Sequence, residues 1–370
     1  MRYTRMPIEI ESPEELGYDR ILYNLSESAV RDRTWSSLGI KLEDIILCYG
    51  DHRGMPDLRE ALSAQGPGLL PDHVLVTAGA AGALFIVATT LLKEDDHLVV
   101  VRPNYATNIE TPKAIGARIT YVDLTLENGY RLDLQKISDS IQPSTKLISL
   151  TVPHNPTGTM IDLGTMRAVV DVAERAGCFV LFDETYRDLT LGEPLPLAAT
   201  LSPRAISVSS LSKAFGVPGI RIGWVINRDP ELLTLFLAAK EQMGICGSAI
   251  DEYVGYQLLV KRPEVLASNQ RLLARRLEIV RSWIESEPLV QWVEPKGGVV
   301  CFPRVDLPDA RMEAFYRRLL EEHRTYLAPG HWFDMPRQYF RLGFGWPTED
   351  ELSRGLDAIS RTLKNNPLSL

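Results

Sequence analysis

SSLSKAFGVPGIRIGW, residues Ser209 to Trp224, is the stretch on which the reading of this chain turns. Lys213 sits among small residues, Ser210, Ser212, Ala214 and Gly216, and Arg221 follows eight positions later. A lysine that reacts with carbonyls must lose its proton near neutral pH, so it needs a pocket that disfavours its charge. Small neighbours leave room for a flat ligand beside the amine. Arg221 is a permanent cation whose fork suits a phosphate. Read alone, the window also fits an exposed lysine in a serine-rich turn.

The segments around it point the same way. TVPHNPTGT (151–159) follows the apolar run Leu147 to Leu150 and reads as a strand ending in a turn. FVLFDETYRDL (179–189) is a buried-type strand ending in Asp183, and VTAGAAGALFIVATTLL (76–92) is a strand, a Gly/Ala turn and a helix. YFRLGFG (339–345) carries Arg341 in an otherwise apolar strand. Short apolar runs at 97–101, 146–152, 178–182 and 205–210 alternate with helical stretches such as 163–176. Gly54 to Ala64 reads as a helix, with Pro56 and Asp57 in its first turn. This alternation predicts an α/β fold, a mostly parallel sheet covered by helices on both faces. Ligands bind beyond the carboxyl ends of such strands, and Asn155, Asp183 and Lys213 all fall just after one. Past Asn227 the pattern turns helical, around 232–243, 269–285, 312–323 and 349–365. Strands near 299–304 and 338–344 complete a smaller α+β unit.

The bulk numbers exclude several classes. The 370 residues are 45% hydrophobic and 24% charged, the profile of a globular protein large enough for two domains. The net charge is −8 with no basic patch, which argues against nucleic acid as a partner. No window approaches a membrane span of ~18 to 20 apolar residues, and the N-terminus has no apolar run that reads as a signal peptide. Cys48, Cys178, Cys246 and Cys301 are far apart, and neither they nor the six histidines show metal-ligand spacing. A cytoplasmic protein with free thiols and no metal is the expectation.

In order and spacing these motifs resemble the fold-type I pyridoxal-phosphate (PLP) enzymes, the class I/II aminotransferase superfamily, from about Tyr49 to the C-terminus. The resemblance implies a large cofactor domain over 46–260, a small domain over 261–370, and an N-terminal segment, 1–45, packed with the small domain. It implies Lys213 as the Schiff-base lysine that also moves the substrate α-proton. Asp183 becomes the counter-charge of the pyridinium nitrogen, since a buried carboxylate needs a cation; read alone it is also a helix N-cap. Asn155 and Tyr186 would donate to the phenolic oxygen, with Asn155-Pro156 and Arg102-Pro103 matching places where the family holds cis bonds. Tyr105 would stack on the ring. Gly79, Ala80 and Ala81, at a helix N-terminus, would cup the phosphate with Ser210 and Arg221. Tyr49 matches a tyrosine lent to the neighbouring subunit's phosphate, which implies a homodimer with shared sites. Arg341 would take the substrate α-carboxylate bidentately.

One stretch departs from the family. Where many aminotransferases carry Gly-x-Pro near the substrate, this chain has NLSESAVRDRTW (24–35). That serine-rich segment resembles capreomycidine-synthase-like enzymes, which cyclise a β-hydroxylated arginine. Glu27 is then a candidate partner for a cationic substrate side chain; read alone, it belongs to a solvated helix cap. Asp51, Glu184 and Asp188 add to the expected acidic supply, which favours an arginine-like or lysine-like amino acid over an acidic one. The leading expectation is an aminotransferase acting on an L-amino acid. The alternative is a β-eliminating lyase or cyclase on the same cofactor.

Overall fold

The computed structural model describes residues 1–364 apart from residue 43. The expected α/β sheet is present, with seven strands. They are β1 (Val74–Ala78), β2 (His97–Arg102), β3 (Arg118–Asp123), β4 (Thr145–Thr151), β5 (Phe179–Asp183), β6 (Ala205–Ser210) and β7 (Ile222–Ile226). Their spatial order is β1-β7-β6-β5-β4-β2-β3. Only β7 runs against the others, pairing antiparallel with β1 and β6. The remaining neighbours pair in parallel.

The apolar runs exist because both faces of the sheet are covered. Successive side chains alternate faces. Leu98 and Val100 of β2 join one core with Leu84, Val87 and Phe236. Val99 and Val101 join the opposite core with Met166, Val169 and Phe182. Helices Gly79–Leu91 and Pro230–Gly244 cover the first face, and Leu163–Ala176 the second. The last runs as expected from its sequence. Asp162 caps it by accepting from the Thr165 amide, and Gly177 ends it in the left-handed region at φ 68°.

Beyond Asn227 the helices are Pro230–Gly244, Ala249–Val260, Arg262–Ser286, Asp309–His323 and Glu349–Lys364; Asn365, where the last was expected to end, lies outside the described residues. Phe340–Gly343 is the central strand of a small antiparallel sheet, between Val300–Cys301 and Ala328–Pro329. The N-terminal segment joins this part of the molecule. Tyr23–Asn24 pairs with Thr325–Tyr326, and the Gly343 amide donates to the Leu25 carbonyl at 2.7 Å. Residue 343 is glycine because a Cβ there would strike the Glu27 carbonyl. Among the described residues no helix is long and apolar enough to cross a membrane.

Candidate active site

The chemistry-bearing side chains stand at the carboxyl edge of the sheet. Asp183 and Ser210 are the last residues of β5 and β6, and Lys213 follows three residues after β6. Tyr105 comes three residues after β2 and Asn155 four after β4. Together with Glu27, Ala80, Ala81, Tyr186, Arg221 and Arg341 they line one cavity of about 580 Å³. The bonds Arg102-Pro103, Val152-Pro153 and Asn155-Pro156 are cis.

Lys213 is half-buried, and its Nζ donates to the Ser28 hydroxyl at 3.0 Å. Burial lowers its pKa, the buried Arg341 charge adds to that, and Glu27 opposes it. An amine that sheds its proton readily is what carbonyl chemistry requires. Asp183 accepts from the Thr185 amide at 3.1 Å and the Thr185 hydroxyl at 2.5 Å. Burial raises its pKa, and no ion pair involving it occurs among the described residues. A buried carboxylate without an ion-pair partner is costly, and the Lys213 charge only partly offsets that cost.

Arg341 is held from two sides. Its Nη1 donates to Asn155 Oδ1 at 3.1 Å and its Nη2 to the Ser26 carbonyl at 2.8 Å, while Nε has no partner. The guanidinium lies 5.1 Å from the centre of the Phe333 ring. With its oxygen on Arg341, the Asn155 amide has its NH₂ free to donate. The Tyr186 hydroxyl donates to the Ser28 carbonyl at 2.9 Å, and burial pushes its pKa up to about 12. Its proton is therefore engaged with the N-terminal segment, and donation into the cavity requires a change of partner.

The turn after β1 forms a cradle. Gly79 opens helix Gly79–Leu91 at φ 74°, and a Cβ there would strike the Arg221 guanidinium. Gly223 is also required to be small, because its Cβ would meet the Gly79 backbone. Among the described residues no side chain caps this helix, which leaves its first amides able to bind an anion. Ala80 and Ala81 line the cavity; Gly79 acts through its backbone conformation. A buried cationless carboxylate, a low-pKa amine and an uncapped helix end beside an arginine fit PLP in size and charge.

Tyr49 is 82% exposed and lies outside the cavity of its own chain. The expected acidic supply is corrected in part. Glu27 lines the cavity, but Glu184, Asp188 and Asp51 do not. Glu184 turns into the core and accepts from the Ala198 amide. Asp188 pairs with Arg262 at 2.5 Å, and Asp51 with Arg59 at 3.0 Å. Besides Glu27, the cavity receives Glu9, Glu14 and Glu15 from an N-terminal strap, for which the sequence suggested no part in the site. Glu11 fixes this strap by accepting from His331 at 2.8 Å and Trp332 at 2.7 Å. Sequence reasoning also missed Ser28, Thr185 and Trp332.

Sheet order and site together define a fold-type I PLP enzyme. The pattern of the "Aminotransferase class I and II" family matches residues 31–359, and the chain belongs to that family. It is 30% identical over 360 residues to a capreomycidine synthase from Streptomyces vinaceus, covering 92% of this chain and 89% of that one. A solved PLP-dependent aminotransferase from Streptococcus suis superposes with a TM-score of 0.91 at 30% identity, covering both chains fully. The PLP-dependent cyclase OrfR superposes at 0.90 with 26% identity, covering 99% of each chain.

Proposed function

We propose that this enzyme transfers the amino group of a cationic, arginine-like L-amino acid. The observation that carries the substrate class is Glu27. It lines the cavity within the field of Lys213 and Arg341, and among the described residues its hydrogen bonds are weak ones at 3.4 Å from Tyr18 and Asn24. Burial raises its pKa, so the site favours a cation beside it over a second anion or an apolar group.

PLP supplies a carbonyl for the substrate amine and a ring that accepts the electron pair left at the α-carbon. Asp183 supplies the negative charge for the ring nitrogen, and the Asn155 amide donates to the ring oxygen. Tyr105 covers a ring face. The helix amides at Ala80 and Ala81, with Ser210 and Arg221, hold the phosphate. In this reading Tyr49 reaches the phosphate of a second subunit in a homodimer, and the chain divides near residue 260 into a large and a small domain. Arg341 orients the substrate through its carboxylate, and the Lys213 amine moves the α-proton.

A second reading, a β-eliminating cyclase acting on a β-hydroxylated arginine, is favoured by the similarity to capreomycidine synthase over 92% of the chain. One experiment separates the readings. The holoenzyme is mixed with each common L-amino acid and with 3-hydroxyarginine, and cofactor absorbance and product masses are followed. Arginine should react at the lowest concentration and yield its 2-oxo acid with an oxo-acid acceptor. Loss of water from 3-hydroxyarginine, with no 2-oxo acid, would establish the second reading. Glu27→Gln should weaken arginine more than alanine; a clear preference for aspartate in the wild type would refute the substrate class.

A further inference from the structure

The segment that departs from Gly-x-Pro places a hydroxyl on the reactive amine. Its backbone is pinned without that hydroxyl. Gly343 donates to the Leu25 carbonyl at 2.7 Å, Arg341 to the Ser26 carbonyl at 2.8 Å, and Tyr186 to the Ser28 carbonyl at 2.9 Å. The Val30 amide donates to the Lys213 carbonyl at 3.0 Å, tying the segment to the lysine loop itself. The Ser28 side chain is buried and lines the cavity. Among the described residues, the hydrogen bond its hydroxyl makes is the one from Lys213 Nζ, at 3.0 Å. A hydroxyl whose removal leaves every backbone anchor in place, and whose partner is the amine, serves the amine.

We propose that Ser28 is a catalytic residue that shares the proton handled by Lys213. This rests on the assignment of Lys213 made above. When the amine takes the α-proton, the C–H bond breaks, its electron pair stays with the substrate side, and a new N–H bond forms. The resulting ammonium has three hydrogens to satisfy in a buried cavity. Ser28 Oγ accepts one of them, so the protonated nitrogen is formed at lower cost and held aimed for the return transfer. Because the hydroxyl is an acceptor toward the amine, its own proton is free to turn into the cavity.

The test uses holoenzyme carrying Ser28→Ala and Ser28→Thr. An acceptor favours the protonated nitrogen, so Ser28→Ala should lower the pH midpoint of the bound cofactor's visible band by about one unit. Exchange of the substrate α-hydrogen with solvent deuterium should slow roughly a hundredfold. Ser28→Ala should keep its cofactor and melt within a few degrees of wild type, and Ser28→Thr should restore both the midpoint and the exchange. An unchanged midpoint and exchange rate in Ser28→Ala would overturn the proposal. Loss of cofactor or of cooperative melting in Ser28→Ala, or failure of Ser28→Thr to restore either readout, would make the serine a packing element and overturn it as well. Hydride reduction that fixes the cofactor to another lysine would instead overturn the assignment of Lys213, whatever Ser28 does.

Discussion

Replacing Arg341 by alanine should erase the enzyme's ability to tell an amino acid from the corresponding amine. The guanidinium is buried, and two of its nitrogens are fixed by Asn155 Oδ1 and the Ser26 carbonyl. Those bonds set the plane of the fork, which leaves the remaining N–H groups to meet a carboxylate in a defined direction. Removing one partner of a buried, hydrogen-bonded charge pair costs about 2 to 5 kcal/mol. At about 1.4 kcal/mol per tenfold, that is roughly thirtyfold to several thousandfold in kcat/KM. The assay compares L-arginine with agmatine, which keeps the guanidinium and lacks the α-carboxylate. Each is mixed with holoenzyme and the change in cofactor absorbance is timed. Arginine should lose the full factor in Arg341→Ala and agmatine little, so that the ratio between them collapses. Arg341→Lys should fall between, because one ammonium cannot serve Asn155, Ser26 and a carboxylate in a single plane. An alanine variant that still prefers arginine by the wild-type ratio would refute the assignment and move the carboxylate site elsewhere.

Lys213→Ala should abolish covalent fixation of the cofactor by hydride, read by mass spectrometry; labelling of Lys240 or Lys296 in the wild type would show the wrong lysine was chosen. Asp183→Asn keeps an oxygen for the two Thr185 donors but removes the charge, so the fold should persist while turnover falls about a hundredfold or more; near-normal turnover would leave Asp183 as a cap for the Thr185 turn. Glu184 governs a stability effect rather than a catalytic one. Its Oε2 is buried without a partner, and burial, partly offset by the Ala198 amide, pushes its pKa up to about 7. The folded state therefore holds this proton more tightly than the unfolded chain, so its contribution is full below about pH 4.3 and lost as pH rises through about 7. Glu184→Gln should flatten the fall in melting temperature between pH 5 and 8; parallel pH curves for the two proteins would sink this.

The strands were legible because their environment is uniform. A strand buried on both faces is mostly apolar, so β2, β4, β5 and β6 appear as short apolar-rich runs, interrupted by residues such as Lys146 and Ser149 in β4 and Ser207 in β6. Helix Leu163–Ala176 was legible because its cap and its stop are both written locally, in Asp162 and Gly177. The reversed β7 was hidden inside the phosphate-binding loop, where IRIGW reads as an extension of the motif. It turns back antiparallel on β6, 13 to 19 residues earlier, and also pairs with β1 about 150 positions away. β3 was overlooked because it is the edge strand, with Arg118 and Asp123 exposed and most of the rest half-buried.

The site divides along the same line. Residues proposed to hold the cofactor, such as Asp183, Asn155 and Lys213, end a strand or follow within four residues of one, so chain position and residue type together disclose them. Residues of the cavity's outer wall arrive by long-range contact. Glu184 and Asp188 looked available because they lie close to Asp183 in sequence, yet Glu184 turns to the Ala198 amide and Asp188, in a 3₁₀ turn at Arg187–Leu189, to Arg262. Besides Glu27 and Asp183, the carboxylates that reach the cavity, Glu9, Glu14 and Glu15, come from two one-turn helices, Pro7–Ile10 and Pro13–Leu16, too short to show any apolar period. Glu9 is spent on the Met6 amide and Glu15 on Arg5. What holds the strap over the cavity is Glu11 with His331 and Trp332, residues more than 300 positions away. No local spacing encodes that contact. The acidic character expected of the pocket is therefore present in Glu27, and it is supplemented by a segment whose position depends on contacts with His331 and Trp332 at the far end of the chain.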